Sequence, residues 1–203
     1  MTDQKEKTLD AMLDLETLGT RPGCVVLSAA ALLFDADTGE TQDYVHTHFN
    51  IHEQILKFGL HVQQDTQAWW LQQSNEAQTR AIEPGSHSKV WGPQLLKHGL
   101  TDLASVLGQA NSRVWAQGAS FDFPILSHLY RIAGIDAPWQ FWAERDTRTL
   151  YEAASMFGFD RKVMDASREG VHHDALSDCE HQVLCVTAAK RTLRGESDVA
   201  KAT

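Results

Sequence analysis

Met12-Leu13-Asp14-Leu15-Glu16-Thr17-Leu18-Gly19 places two carboxylates one residue apart inside an apolar run, ahead of a Thr-Leu-Gly turn. Leu9, Ala11, Leu13 and Leu15 alternate with polar or small residues, the period of a strand entering a core. Residues two apart on a strand point the same way, so Asp14 and Glu16 share a face, about 7 Å apart at ~3.4 Å per residue. Like charges this close to a core repel and resist desolvation. A divalent cation would account for the arrangement; a strand end with its acids in solvent is the alternative.

Outward from this strand, taken as residues 8–16, Arg21-Pro22-Gly23 turns the chain into a second apolar run, Cys24 to Phe34. After the turn-rich 35–40 segment, Tyr44 to Ile51 alternates as a third strand. Three strands joined by short turns imply an antiparallel meander. Helical signals follow. Asp65 or Thr66 can cap a helix carrying Ala68 to Leu71, and Asn75 to Ile82 continues in that style. Residues 83–88, Glu-Pro-Gly-Ser-His-Ser, form a break and a candidate mobile loop. Leu96, Leu100, Leu103 and Leu107 recur at helical spacing across an interruption at Gly99-Leu100. Val114 to Gln117 is a short buried strand. Phe121-Asp122-Phe123-Pro124 opens a helix with Pro124 in its first turn. Phe141 to Asp146 is another short strand, Thr147 to Phe157 a helix, and residues 174–193 a last helix before a frayed tail. Strands first, then strands alternating with helices, indicate one α/β domain with a mixed sheet over 1–203, its core about 9–193.

The chain has 203 residues, 42 % of them apolar, and a net charge of −9. That suits one well-buried core and a globular chain, not a disordered one. No apolar run is long enough to span a membrane. The polar, mixed-charge start carries no visible signal peptide. Cys24, Cys179 and Cys185 lack paired spacing, which suits a reducing, cytoplasmic setting. A protein that coats duplexes is normally basic. An acidic chain can still act on a phosphate if bound metals reverse the local field.

Three further positions put charge where packing alone does not ask for it. Asp122 follows a buried strand at a helix start; a helix-dipole acid is its bland explanation. His173 precedes the last helix, and Asp178 lies in that helix's second turn. In chain order the pattern is Asp-x-Glu, Asp, then His-x-x-x-x-Asp. It resembles the DnaQ-like, or DEDDh, 3′–5′ exonuclease superfamily, which carries four acids and a histidine in this order. The resemblance extends to 65–71 with Trp69-Trp70, to Gly118-Ala119-Ser120-Phe121-Asp122, to 145–150 and to 173–178. These segments are similar to the bacterial and phage exoribonuclease branch near ribonuclease T. The similarity covers roughly residues 9–192 without departure at the five catalytic positions.

The resemblance implies a ribonuclease H-like mixed sheet with flanking helices. It also implies two Mg²⁺ or Mn²⁺ ions, and carboxylates suit such hard cations. Two-metal phosphodiester cleavage uses one ion to activate water and the other to stabilise the leaving oxygen. By resemblance, Asp14 bridges both ions, Glu16 and Asp178 complete one site, Asp122 serves the other, and His173 is the general base. The implied substrates are single-stranded RNA or DNA 3′ ends, RNA favoured by the branch, with nucleoside 5′-monophosphates as products. Thr17, Leu18, Ser120, Phe121 and Trp69 are the candidate substrate contacts; core packing is the competing role of Leu18, Phe121 and either tryptophan. Relatives are often homodimers. A DNA exonuclease and a non-catalytic binder of nucleotides or 3′ ends are the alternatives. Among the other residues, His46 and His48 are expected on a solvated strand edge. Cys179 is expected in helix packing. Asp146 and Arg148 either orient substrate or a partner chain or form a strand-end salt bridge.

Overall fold

The computed structural model describes residues 7–83 and 92–196. The 83–88 break lies outside the described residues from residue 84 onward, as does the tail from residue 197. Strands β1 (Leu9–Thr17), β2 (Val26–Asp35), β3 (Thr41–His48), β4 (Val114–Ala116) and β5 (Glu144–Asp146) form one sheet in the order β3-β2-β1-β4-β5. The first three pair antiparallel, and β4 and β5 join parallel to β1. The expected meander and mixed sheet are both present.

β1 is central because both its faces are apolar enough to be covered. Ala11, Leu13 and Leu15 pack with helices α4 (Leu96–Leu107) and α5 (Ala119–Ala133) through Leu100, Leu103, Phe123 and Leu126. Met12 on the opposite face packs with Ala30, Leu32 and Trp115 under α6 (Thr147–Ser155) and α8 (Ala175–Leu193), through Tyr151, Cys179, Val183 and Val186. All ten residues of β2 are buried, the signature of a strand covered on both sides. Cys179 is a fully buried packing residue, as expected. Among the described residues no helix is long and apolar enough to cross a membrane.

Several local expectations need correction. β3 ends at His48, and Ile51 begins helix α1 (Ile51–Phe58), because the Asn50 side chain accepts from Glu53 N and caps a new helix. Helix α2 (Gln64–Trp70) has Gln63 at its N-cap position with no side-chain cap bond, which leaves Asp65 in its first turn. Helix α3 (Asn75–Ile82) matches its expected span. Gly99 does not interrupt α4. A Cβ there would lie 2.6 Å from Phe49 Cε1 and 2.8 Å from Thr47 Oγ1, so the glycine lets the helix cross close over β3. α5 begins at Ala119, which puts Pro124 inside the helix rather than in its first turn. Pro124 and Ser120 are both exposed, so water can satisfy the Ser120 carbonyl that the proline leaves without a donor. Phe141–Ala143 is a single 3₁₀ turn before β5. The short helix α7 (Arg161–Ala166) has too few residues to show a period.

The His46–His48 expectation fails in an informative way. Both rings are buried and stand 4.4 Å apart. They lie on the same sheet face as the two acids of β1, because Ala30 pairs with both Asp14 and His46, and Ser28 with both Glu16 and His48. His48 Nε2 is 2.8 Å from Arg80 O at the end of α3, so this edge is covered. Burial lowers both histidines' pKa values, and that of His46 falls to about 4, with the neighbouring His48 adding to the effect. An unfolded histidine protonates near ~6.5, so stability present above that pH is lost as pH falls through 6.5 towards 4. His46→Gln should therefore gain stability relative to the parent over that window, by at most roughly 3.5 kcal/mol at ~1.4 kcal/mol per pH unit. Urea midpoints at pH 7, 6, 5 and 4 measure it; parallel curves would refute the burial argument.

Candidate active site

Asp14 and Glu16 leave β1 on one face and meet α8 at its start. The register of β1 against β2 shifts between Glu16 and Thr17, a bulge that ends regular pairing where the acids sit. Trp70 is buried and its Nε1 donates to Thr17 O at 2.9 Å, which fixes the backbone just after Glu16. Asp122 arrives from β4 through Gly118, whose φ of 111° is open to glycine and strained for other residues. It lies in the first turn of α5 and is buried. Asp178 lies in the first turn of α8 and not the second, because the helix begins at Ala175 behind its cap Asp174, which accepts from Ser177 N at 3.0 Å.

His173 is the only non-glycine residue with positive φ among the described residues, at 62°. This conformation costs on the order of 1–2 kcal/mol and is held by its surroundings. The ring packs edge-on against Trp69 at 4.8 Å and lies 6.1 Å from Trp70. Ligand atoms of Glu16, His173 and Asp178 all fall within 4.8 Å of one another. Asp14, Glu16, Asp122 and His173 also line one cavity of about 690 Å³. The five positions named from the sequence therefore converge from β1, α5 and the start of α8.

The electrostatics are unfavourable without a cation. Burial raises the Asp14 carboxyl well above its usual range, and Asp178, Glu16 and Asp122 raise it further. Glu16 is raised by burial and then by Asp178, Asp122 and Asp174, with Arg168 opposing. Burial raises Asp122 as well, against hydrogen bonds and the Arg148 charge. Compensation inside the chain is partial. Gln182 Nε2 donates to Asp14 Oδ1 at 2.9 Å, and Arg168 pairs with Asp178. Burial lowers the His173 pKa, with Asp178 opposing, so the ring is neutral at pH 7. A carboxylate-rich donor set with repulsion only partly relieved fits hard divalent cations.

The candidate substrate contacts divide. Thr17, Phe121 and Trp69 line the cavity, and Trp69 is 40 % exposed against 7 % for Trp70. The Thr17 hydroxyl is already spent on Gly19 O at 2.6 Å. Leu18 packs against core clusters, and Ser120 is exposed outside the cavity lining. Sequence reasoning did not find Gln182, Arg168, Gln63 or Gln117. Gln182 was within reach, since it stands four residues after Asp178 on the same helix face. Gln63 Oε1 accepts from Thr20 N, and Gln117 Oε1 accepts from Arg161 Nη1, contacts with no local signature. Asp146 and Arg148 form no salt bridge: Asp146 caps α6 through Arg148 N and Thr149 N and accepts from Ala119 N at the start of α5.

The repulsion has a measurable consequence in metal-free protein. A carboxyl whose folded pKa is raised loses stability as pH climbs through that value. Asp14→Asn should therefore raise the thermal midpoint in chelator at pH 7, by roughly 2–4 °C for each kcal/mol relieved. The gain should vanish towards pH 4. A lower midpoint at pH 7 would show that Asp14 is not under electrostatic stress.

Comparison with known proteins identifies the family. A family model described as the 3′-5′ exoribonuclease Rv2179c-like domain matches residues 9–190. The exodeoxyribonuclease of Enterobacteria phage T4 is 27 % identical over 221 residues, covering 93 % of this chain and 92 % of that protein. Among solved structures, E. coli exonuclease I in complex with a dT13 oligonucleotide superposes with a TM-score of 0.57 at 12 % identity, over 94 % of this chain and 42 % of that one. The zinc-bound E. coli exonuclease I–ssDNA complex gives 0.53 at 12 % identity, over 96 % and 42 %. The chain thus spans less than half the length of those structures, and the likeness shows a shared ribonuclease H-like fold. With the family match running from β1 through α8, the chain belongs to the Rv2179c-like 3′-5′ exoribonuclease domain family.

Proposed function

We propose that the protein hydrolyses phosphodiesters from single-stranded RNA 3′ ends, one nucleoside 5′-monophosphate at a time, with divalent cations held by Asp14, Glu16, Asp122 and Asp178. The observation that carries this reading is the convergence of those acids with His173, three of the five within 4.8 Å ligand-atom spacing. When bound, Mg²⁺ or Mn²⁺ supplies a water nucleophilic at neutral pH and offsets the charge of the phosphate and leaving oxygen. His173, neutral at pH 7, takes the proton of the attacking water as its oxygen bonds to phosphorus and the upstream 3′ oxygen leaves. Trp69, exposed beside His173, offers a π-face on which a terminal base can stack without regard to its identity.

The phage T4 exodeoxyribonuclease, similar over nearly its whole length, favours a second reading in which the strand is DNA. Matched 5′-labelled RNA and DNA oligonucleotides with Mg²⁺ or Mn²⁺ decide between the two. The expected result is stepwise 3′ shortening, faster on RNA; faster shortening of DNA would select the second reading. Failure to release mononucleotides from either would sink the nuclease assignment.

His173→Ala should lower kcat by roughly 10²–10⁴ while the Mn²⁺-dependent rise in thermal midpoint persists. Loss of that rise with turnover intact would remove the base role. Asp14→Ala should abolish turnover in a folded protein, and normal activity would refute its place in the site.

A further inference from the structure

The cavity has an electrostatic problem that the acids and His173 do not solve. Its described lining residues include four carboxylates, Asp14, Glu16, Asp65 and Asp122, and a single permanent cation, Arg148. The chain as a whole carries −9. A nucleic-acid strand brings one negative charge per nucleotide into this field. Bound cations answer for the phosphate under attack, and other phosphates in the strand need their own partner.

Two arginines stand beside the acids, and only one is spent. Arg168 pairs with Asp178 and also donates to Val171 O at 3.3 Å. Its charge acts on Glu16 and His173. Arg148 acts instead on Asp122, on the α5 side of the cavity. The natural partner of Arg148 would be Asp146, two residues away. Both Asp146 oxygens are engaged by backbone N–H groups: Oδ1 by Arg148 N at 2.8 Å and Thr149 N at 3.3 Å, Oδ2 by Ala119 N at 2.7 Å. The Arg148 guanidinium has no hydrogen bond or salt bridge among the described residues. It is nevertheless placed. Its Nη1, Cζ and Nη2 lie 3.0, 3.2 and 3.3 Å from where a Cβ on Gly118 would be, so the group rests on bare backbone.

We propose that Arg148 is a substrate-positioning residue whose guanidinium binds a phosphate of the strand next to the scissile one, on the Asp122 side of the cavity. This rests on the nuclease reading above. A free guanidinium fork matches two phosphate oxygens in a way that an ammonium does not. Because Arg148 is grouped with Asp122 and apart from the Glu16–His173–Asp178 cluster, it serves a phosphate that is not being cleaved. Gly118 is thereby required twice, for its positive φ and for the room it leaves to the arginine.

The test compares a 5′-labelled oligonucleotide with the p-nitrophenyl ester of thymidine 5′-phosphate, which has one phosphodiester and no neighbouring phosphate. Arg148→Met should raise KM for the oligonucleotide roughly ten-fold or more, with kcat little changed. Hydrolysis of the ester should stay within about two-fold of the parent, a split that a structural role would not produce. Arg148→Gln is the second removal variant should Arg148→Met fail to fold, and Arg148→Lys should restore part of the affinity. In a His173→Ala background, where cutting is slowed enough to measure binding first, removal of Arg148 should make the slope of log affinity against log salt shallower by about 0.7, one single-strand phosphate contact. Equal losses on ester and oligonucleotide, or an unchanged oligonucleotide KM and salt slope, would overturn the assignment. If the parent protein cleaves neither substrate, the nuclease reading fails, and the salt slope still decides whether Arg148 holds a phosphate.

Discussion

Mutual repulsion among buried and half-buried carboxylates is the constraint on which the rest of this structure depends. Asp14, Glu16 and Asp122 are desolvated by the same packing that makes β1 the centre of the sheet, and each raises the energy of ionising another or is raised by Asp178. Central position and charge are in direct conflict at one end of a strand. A fold with no use for the acids would be more stable with amides or apolar groups there. Their presence, with a histidine beside them, marks a candidate functional site in which stability has been given up.

The surrounding chain holds this arrangement through backbone contacts more than through pairing of charges. Trp70 Nε1 secures the Thr17 carbonyl, Gln54 clamps both polar groups of Val26 across the next strand, and Asp146 ties the starts of α5 and α6 with one carboxylate. Each bond satisfies a backbone group that a bulge or helix start would otherwise leave open. The result is a rigid rim from which the acids project. Because Asp146 is consumed in this bracing, Arg148 keeps its charge free at the cavity.

His173 shows the same economy of position. Its left-handed backbone turns the chain just before Asp174 caps α8, and its ring is fixed against the edge of Trp69. The adjacent tryptophans divide their labour as helix geometry demands: Trp70 faces inward and braces β1, and Trp69 faces the cavity beside His173.

The sequence alone determined the three-stranded meander and the α/β class, and it singled out five positions of acid and histidine; the place of β1 at the centre of the sheet came from the structure. The meander, the class and the five positions depend on period-two and period-3.6 apolar patterns and on the order of charged residues, which are local and survive translation into any coordinates. Only the tertiary structure decided that His46 and His48 are buried, because what covers an edge strand comes from α3 and α8, far along the chain. It likewise decided that Gly99 permits α4 to pass over β3, that Asp146 bridges two helix starts, and that Leu18 packs into the core while Thr17 lines the cavity. Arg148 was legible as a charge near a strand end, and its freedom was not. Whether a charge is spent depends on which donors reach its neighbour, and Ala119 N reaches Asp146 across 27 residues of chain.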